Sequence, residues 1–201
     1  MPTAPPAHAR KQPKQARAQA TVSALLDATA RVLVDEGYDQ ATTNRIAAVA
    51  GVSIGSLYQY FPNKDAIVAA LGERLEGEML AMLRRYVAEL EDAPLEDAVR
   101  TYVRAMIAVH AENPRLHRVL TANYDLSLPR PLHARFEAIV RTYLERHAAS
   151  LRPASLEQAS FILVSSVEAI THGALLHRPE LLEQESFTEE VCQLVLRYLL
   201  G

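Results

Sequence analysis

The chain has 201 residues, a formal net charge of −3 at pH 7, and a hydrophobic content of 49%. This composition can bury the core of one sizeable domain or two small ones. No uninterrupted apolar run reaches the roughly 18 residues of a membrane helix, and the N-terminus lacks the hydrophobic segment of a secretory signal. A single cysteine, Cys192, excludes an internal disulfide and a multi-cysteine metal site. We therefore expect a cytoplasmic protein without membrane contact.

The N-terminal segment, residues 1–16, is rich in Pro, Ala, Lys and Gln and predicts a flexible basic arm. Four cations lie there or next to it, with no acidic residue among them: Arg10, Lys11, Lys14 and Arg17. The acidic excess of the chain follows residue 63, so a basic end on an acidic body indicates that this end meets phosphate groups. The four cations could instead be only a solubilising tail.

A compact three-helix domain is predicted for residues 17–63. Apolar residues recur at spacings of three and four from residue 17, and Gly37 has the position of a helix C-cap. Thr42 and Ser53 are expected N-caps of two short helices. These helices run over residues 43–50 and 54–61, with Gly51 in the tight turn between them and Pro62 after the second.

The remaining residues, 64–201, predict a larger helical body. Asn63 is the expected N-cap of a long helix from Lys64 to about Leu90. Two capping boxes, Ser155 with Gln158 and Ser186 with Glu189, predict helices over about 156–177 and 187–199. No period-two run bounded by turns occurs, so the prediction is an all-α fold of about nine helices.

The second short helix is predicted to present a polar surface that can read DNA. Ala47, Gly51 and Leu57 suit a close helix crossing, and the outward side carries Ile54, Ser56, Tyr58 and Gln59. Glutamine can bond adenine through two hydrogen bonds, and an aliphatic side chain can touch a thymine methyl group. Phosphate contacts are expected from the hydroxyls of Thr42, Thr43, Ser53 and Tyr60 and from the Lys64 cation.

Residues 17–70 resemble the TetR/AcrR family of regulators. The resemblance is carried by the segments VLVDEGYDQATT, RIAAVAGVS and GSLYQYFPNK. It implies a homodimer that binds a pseudo-palindromic operator in double-stranded DNA, and a C-terminal domain that binds a small-molecule effector and pairs with its copy. By position, it assigns DNA contacts to Thr43, Ser53, Ser56, Tyr58, Gln59, Tyr60 and Lys64. Ile54 departs from the pattern, because many members carry a lysine or arginine there.

Two other interpretations of this segment exist. Gly51-Val52-Ser53-Ile54-Gly55 matches the G-x-S-x-G elbow of α/β-hydrolases, but the elbow needs a preceding strand, and RIAAVA has helical character. We therefore expect no enzyme activity, cofactor or metal. The second alternative is a helical ligand-binding or scaffold protein whose helix-turn-helix is only a packed corner.

An effector pocket is predicted in the body. The segment 160–173 is apolar on nearly all sides, and Phe161, Ser165, Glu168 and His172 share one of its faces. Glu168 either lines the pocket or is held by a partner in the core or the dimer seam, because an unpaired buried charge is costly. The candidate pocket residues are Met79, Met82, Tyr86, Tyr102, Met106, His110, Phe161, Ser165 and Glu168. The expected effector is largely apolar or aromatic, with one polar or cationic feature.

The last two predicted helices are candidates for dimerisation. Each has a broad apolar face that could form a four-helix bundle with a second copy. The candidate interface residues are Leu163, Val167, Ile170, Ala174, Val191, Leu194, Val195 and Tyr198.

The histidines of the body lack metal-ligand spacing, so structural roles are expected for them.

Overall fold

The computed structural model describes residues 12–90, 93–123 and 131–201. Over these ranges the chain forms helices and no strand, which confirms the all-α prediction. The α-helices are α1 (Gln12–Gln40), α2 (Thr43–Ala50), α3 (Ile54–Tyr60), α4 (Lys64–Glu89), α5 (Leu95–Glu112), α6 (Pro114–Ala122), α7 (Pro131–Arg146), α8 (Leu156–His177) and α9 (Glu185–Leu200). Two short 3₁₀ helices cover Ala148–Ser150 and Pro179–Glu183.

Helix α1 begins earlier than predicted and is interrupted at the glycine that was predicted to end it. It begins at Gln12, so residues 12–16 of the predicted flexible arm are helical. Their Gln, Lys and Ala residues favour helix, and Pro13 fits the first turn because no backbone hydrogen bond is lost there. At the other end the backbone of Gly37 is non-helical, with φ 78° and ψ 171°, so it interrupts the helix at the predicted position, and a short second helical stretch continues to Gln40 beyond the kink. This positive φ is tolerated because glycine has no Cβ.

The chain divides into two units, Met1–Glu73 and Arg74–Gly201. The division falls inside α4, later than the predicted boundary between residues 63 and 64. The first turns of α4 belong to the first unit, since Ile67 and Leu71 are fully buried and lie outside the core cluster of the second unit. The sequence pattern did not show this boundary, because α4 remains one continuous helix where the residues that pack against it change.

The second unit has one core, to which the second half of α4 and helices α5, α7, α8 and α9 contribute. Its fully buried side chains include Val103, Leu144, Val167, Leu175 and Leu199. Among the described helices, α8 alone has the length and mean hydropathy to cross a membrane. Its apolarity has a local cause, because Leu163, Val167 and Leu175 on this helix are core residues.

The predicted start of α9 is wrong. The helix begins at Glu185 with Gln184 as N-cap, so Ser186 lies inside the first turn and caps nothing. The Glu189 carboxylate, expected to complete a capping box, instead accepts hydrogen bonds from Arg100 on α5 and from Gln193. A charge-assisted bond to a guanidinium is stronger than a bond to a backbone amide. The pairing joins α5 to α9.

Candidate nucleic-acid interface and ligand cavity

The turn between α2 and α3 is fixed by local hydrogen bonds. Thr42 Oγ1 accepts from the Arg45 backbone amide at 3.1 Å, and Ser53 Oγ accepts from the Ser56 amide at 3.1 Å. Both predicted N-caps are therefore present. Gly51 adopts the left-handed conformation, φ 70° and ψ 27°, and donates its amide hydrogen to the end of α2. These caps determine where each short helix begins.

Side chains between the helices hold α3 with one face outward. Ile46 and Leu57 are fully buried and Ala47 is 3% exposed. The small Ala47 side chain lets the two helices approach closely, as predicted from its type and position. Ser53 lies in a loop between helices, with its hydroxyl engaged as a cap. This context differs from the strand-to-helix elbow of a hydrolase.

The outward face of α3 carries large side chains that the protein leaves in solvent. Tyr58 is 53% exposed, Tyr60 38% and Ile54 37%, and Gln59 is also exposed. Ser56 contributes less, because it is half-buried and its hydroxyl lies 2.9 Å from Ser53 Oγ. The predicted reading surface therefore faces outward, with Ser56 partly occupied by capping. Exposed aromatic side chains grouped in this way mark an interaction surface.

A hydroxyl pair links α2 and α3 on this surface. Thr43 Oγ1 and Tyr58 OH lie 3.1 Å apart. Either oxygen can donate, and each keeps a further lone pair for an outside partner. The bond restrains the Tyr58 ring without burying it. Both residues were predicted contacts, but their pairing depends on the helix crossing and could not be derived from spacing.

Lys64 is held within the first unit more firmly than predicted. Its Nζ donates to the Tyr38 carbonyl oxygen at 2.9 Å and lies 4.0 Å from the centre of the Tyr38 ring. The Tyr38 hydroxyl donates to Asp65, and this bond, with burial and nearby carboxylates, raises the pKa of Tyr38 to about 12. The ammonium group keeps two further N–H donors for a phosphate.

Other cations near the interface were either missed or lie partly outside the described residues. Arg45 on α2 is 54% exposed and pairs with Glu36 at 2.6 Å. Sequence reasoning did not select it, although a cation on the first helix of the turn is a usable signal. Arg17 is exposed on α1. Arg10 and Lys11 lie outside the described residues, and for Lys14 only the helical backbone is described.

The second unit contains an apolar cavity of about 50 Å³. Its walls come from the C-terminal half of α4, the turn that follows it, and α5, α7 and α8. The lining residues are Leu83, Tyr86, Val87, Leu90, Leu95, Ala98, Val99, Tyr102, Val140, Tyr143, Leu144 and Leu163. Of the predicted pocket residues, Tyr86 and Tyr102 line it.

The other predicted pocket residues lie elsewhere: Met79, Met82, Met106, His110, Phe161, Ser165 and Glu168. Phe161 is the clearest correction, since 54% of it is exposed to solvent. Helical periodicity showed that these residues share faces, but it could not show which face turns inward.

Glu168 does not line the cavity, and its carboxylate lies among histidine side chains. His133 Nδ1 lies 3.1 Å from Glu168 Oε2, and His172 Nδ1 lies 3.9 Å from Glu168 Oε1. His133 Nε2 also lies 2.9 Å from Glu137 Oε1. Of the two alternatives for Glu168, the partnered carboxylate agrees with these contacts. The described residues include no group of three or more His, Cys, Asp or Glu that could hold a metal ion.

Two further histidines extend this cluster and are kept neutral. His110 Nδ1 lies 2.7 Å from the Met106 carbonyl oxygen, which can only accept, so its Nε2 accepts from His172 Nε2 at 3.2 Å. The His117 ring lies 4.7 Å from the His110 ring. Burial, followed by repulsion from His110 and His172, lowers the pKa of His117 to about 4. Burial also lowers the pKa of His110.

The predicted dimer face needs the largest correction. Five of its residues are buried in the protomer core, each at most 6% exposed: Leu163, Val167, Ala174, Val191 and Val195. Ile170 and Tyr198 pack against that core and are half-buried. Leu194, at 53% exposure, is the one predicted residue available to a partner without repacking. The other exposed large apolar side chains on α8 and α9 are Phe161, Ile162 and Leu200.

A helix-turn-helix unit followed by a separate helical unit defines a class of DNA-binding regulators. Two family models match within these units. The model for bacterial regulatory proteins of the tetR family matches residues 25–71, and the model for the tetracyclin repressor-like C-terminal domain matches residues 94–199. The chain belongs to the tetR family of transcriptional regulators.

Curated relatives resemble part of the chain. Nucleoid occlusion factor SlmA of Glaesserella parasuis serovar 5 (strain SH0165) is 33% identical over 89 residues, which are 44% of this chain and 43% of that protein. The fatty acid metabolism regulator protein of Bacillus subtilis (strain 168) is 32% identical over 65 residues, 32% of this chain and 34% of that protein. The chain spans less than half the length of these relatives.

Solved structures extend the likeness over nearly the whole chain. SmeT, the repressor of the Stenotrophomonas maltophilia multidrug efflux pump SmeDEF, has a TM-score of 0.70 at 24% identity, covering 92% of both chains. The SmeT-triclosan complex has a TM-score of 0.66 at 23% identity, covering 91% of this chain and 93% of that one. At these identities the likeness establishes the fold.

Proposed function

We propose that this protein is a homodimeric repressor that binds a pseudo-palindromic DNA operator and is released by a small-molecule effector. The observation that carries the proposal is the outward face of α3, where Tyr58, Gln59 and Tyr60 are exposed beside the capped turn. A short helix with a polar outer face has the shape that enters a major groove. A packed corner of a scaffold protein would not require these side chains in solvent.

The contacts divide into base reading and backbone positioning. We assign base contacts to Gln59, through its amide, and to Ile54, through its methyl groups. Phosphate contacts fall to the hydroxyls of Thr42, Thr43, Ser53 and Tyr60 and to the free N–H groups of Lys64. Ser56 and Tyr58 remain candidates for either class, and the basic residues before α1 are candidates for the minor groove or the phosphates.

Replacing Gln59 by alanine should relax the preference at one base pair of each half-site, at a cost of about 1–3 kcal/mol for the preferred base. Lys64→Ala should weaken binding to all sequences nearly equally, because a phosphate contact carries no base information. Fluorescence anisotropy on a set of single-base operator variants measures both. Since Lys64 also binds Tyr38, the unfolding temperature of that variant is recorded beside its affinity.

The wild-type affinity should fall steeply with salt, by about 0.9 in log K per neutralised phosphate for each unit of log salt concentration. DNA from upstream of the protein's own gene is the natural first probe. An absence of binding to it and to a randomised DNA pool at low salt would favour the helical ligand-binding or scaffold alternative. Unchanged binding in both variants would show that the assigned contacts are wrong.

We infer the dimer interface from the exposed apolar side chains of the last two helices. Phe161 and Ile162 on α8 and Leu194 and Leu200 on α9 are each at least 41% exposed. Small residues follow the same outer side of α8, with Ala169 exposed and Gly173 half-buried. Such residues permit close approach of a second helix. Pairing these faces in two copies would give the four-helix bundle expected from the family resemblance.

Leu194→Glu should convert the dimer to a monomer, because the added carboxylate would be buried without a partner on association. Operator affinity should then fall about a hundredfold, since two half-sites no longer act together. Light scattering after gel filtration measures the mass, and anisotropy measures the affinity. Ala108→Glu, on an exposed position of α5, adds the same charge away from α8 and α9 and should leave the dimer intact. A monomeric wild type would refute the interface.

Ligand release would act through α4. Its C-terminal half contributes Leu83, Tyr86 and Val87 to the cavity, while its first turns belong to the helix-turn-helix unit. An effector that displaces the cavity segment would therefore strain the same helix that carries Lys64. Effector and operator then favour different states, and their coupling must be reciprocal. The complex of SmeT with triclosan supports a ligand-responsive function for this fold.

A further inference from the structure

The cavity wall contains one buried side-chain polar group without a hydrogen-bond partner among the described residues. The Tyr102 hydroxyl on α5 is buried and has no hydrogen-bond partner within the part of the chain that the structure describes. Buried hydroxyl groups nearly always find a partner, because an unpaired one has lost its hydrogen bonds to water. The missing partner is therefore expected to come from outside the described residues, and a bound ligand can supply it.

The other wall residues distinguish Tyr102 further. Tyr143 on α7 also reaches the cavity, but its hydroxyl lies 3.4 Å from the Ala93 carbonyl oxygen and can donate to it. Tyr86 on α4 is a third tyrosine of the wall and is half-buried, and the remaining wall residues are aliphatic, with Leu83, Val99 and Leu144 as typical members. A ligand would meet a largely apolar wall in which Tyr102 offers the buried hydroxyl that lacks a partner among the described residues. Sites of this kind bind apolar molecules and orient them through a few polar contacts.

The electrostatic surroundings exclude an anion. Burial raises the pKa of Tyr102, and the negative charge of Glu168 raises it further. The hydroxyl therefore remains protonated and available as a donor. Among the described residues, no charged side chain lines the cavity. A carboxylate ligand would be desolvated without a counter-charge and repelled by Glu168, whereas a neutral oxygen acceptor would meet neither cost.

We propose that this cavity binds a small, neutral, largely aromatic ligand whose carbonyl or ether oxygen accepts a hydrogen bond from the Tyr102 hydroxyl. The proposal rests on the ligand-responsive function above and gives its effector a chemical class. Tyr102 is then a specificity-determining residue, because it distinguishes an acceptor from an isosteric hydrocarbon and both from a carboxylate.

The size of the cavity connects this ligand to α4. Its volume is about 50 Å³, whereas a cavity that takes up benzene measures about 150 Å³. An aromatic ring therefore enters only if the wall moves. The α4 segment that includes Leu83, Tyr86 and Val87 forms one wall, so ligand entry should displace it. A hydrogen bond between the ligand and the Tyr102 hydroxyl would offset part of the free energy needed to open the cavity.

The test compares three probes of similar size: acetophenone as the acceptor, ethylbenzene as the hydrocarbon and benzoate as the anion. Calorimetric titration of the full chain should give the order acetophenone, ethylbenzene, benzoate, with acetophenone favoured about fivefold to tenfold, as expected for one net hydrogen bond. Tyr102→Phe should abolish the preference for acetophenone and leave ethylbenzene affinity unchanged or higher. Its melting temperature should equal or exceed that of the wild type, because an unpaired hydroxyl is removed.

Tyr143→Phe is the matched control in the same cavity, and it should retain the acetophenone preference because its hydroxyl already has an acceptor within reach. Equal binding of acetophenone and ethylbenzene to the wild type, preferred binding of benzoate, or binding of none of the probes would overturn the proposal. Operator binding is measured separately on the same samples. Retained operator binding without probe binding would refute this ligand class and leave the DNA-binding function standing.

Discussion

Acidification should remove up to about 3 kcal/mol of the free energy of unfolding through His117 alone. The pKa of His117 is lowered from 6.5 to about 4 in the folded protein by burial and by the neighbouring His110 and His172. Between pH 6.5 and pH 4, His117 is protonated in the unfolded chain and neutral in the folded protein. This contribution is therefore complete above pH 6.5 and is lost as the pH falls toward 4.

Urea denaturation at several pH values measures this effect as a difference between variants. His117→Gln cannot titrate, so its stability should fall less than that of the wild type over the same range. His177→Gln, at an exposed position at the end of α8, should follow the wild type. Parallel curves for wild type and His117→Gln would show that His117 is not held neutral. His110, whose pKa burial also lowers, should contribute in the same direction.

The second large effect is expected in the core. Leu199→Ala on α9 should reduce the free energy of unfolding by about 2–5 kcal/mol, because it removes a fully buried side chain and leaves a cavity. Leu194 lies on the same helix and is 53% exposed, so Leu194→Ala should change protomer stability by about 0.5 kcal/mol or less. Comparing the stability of the two variants shows which face of α9 packs within the protomer.

Urea denaturation with an unchanged m-value is the appropriate measurement, over a range of protein concentrations. The effect of Leu199→Ala should be present at every concentration. Any effect of Leu194→Ala should depend on concentration, since a contact between copies stabilises by mass action. Similar losses in both variants at high dilution would contradict the assignment of faces.

Local sequence signals predicted the helix-turn-helix closely. Thr42, Gly51 and Ser53 act through bonds to residues within four positions, so residue type and spacing suffice to place the caps and the turn. The same reasoning failed at Ser186 and Glu189, because the Glu189 carboxylate accepts a hydrogen bond from the Arg100 guanidinium on α5 and does not cap α9. A capping box is a local preference, and a charge-assisted contact from another helix can override it.

Face assignment in the body was less predictable, for a geometric reason. The periodicity of α8 identified an apolar helix, and residues such as Leu163 and Phe161 were equally eligible for core, pocket or interface. In the structure Leu163 is 4% exposed and Phe161 54%. Only the positions of α4, α5, α7 and α9 around α8 distinguish these residues. A helix that is apolar on nearly all sides carries no sequence signal for this choice.

The sequence by itself determined the all-α fold, the capped turn and the outward polar face of α3, because each depends on contacts within a few positions. The tertiary structure alone decided that α4 contributes to both units and that the Tyr102 hydroxyl lies in a cavity without a partner among the described residues. It also decided that His133 and His172 flank Glu168, with His110 beside His172 and His117 beside His110. These arrangements bring together residues from separate helices, and their distances depend on helix packing, which helical periodicity does not encode.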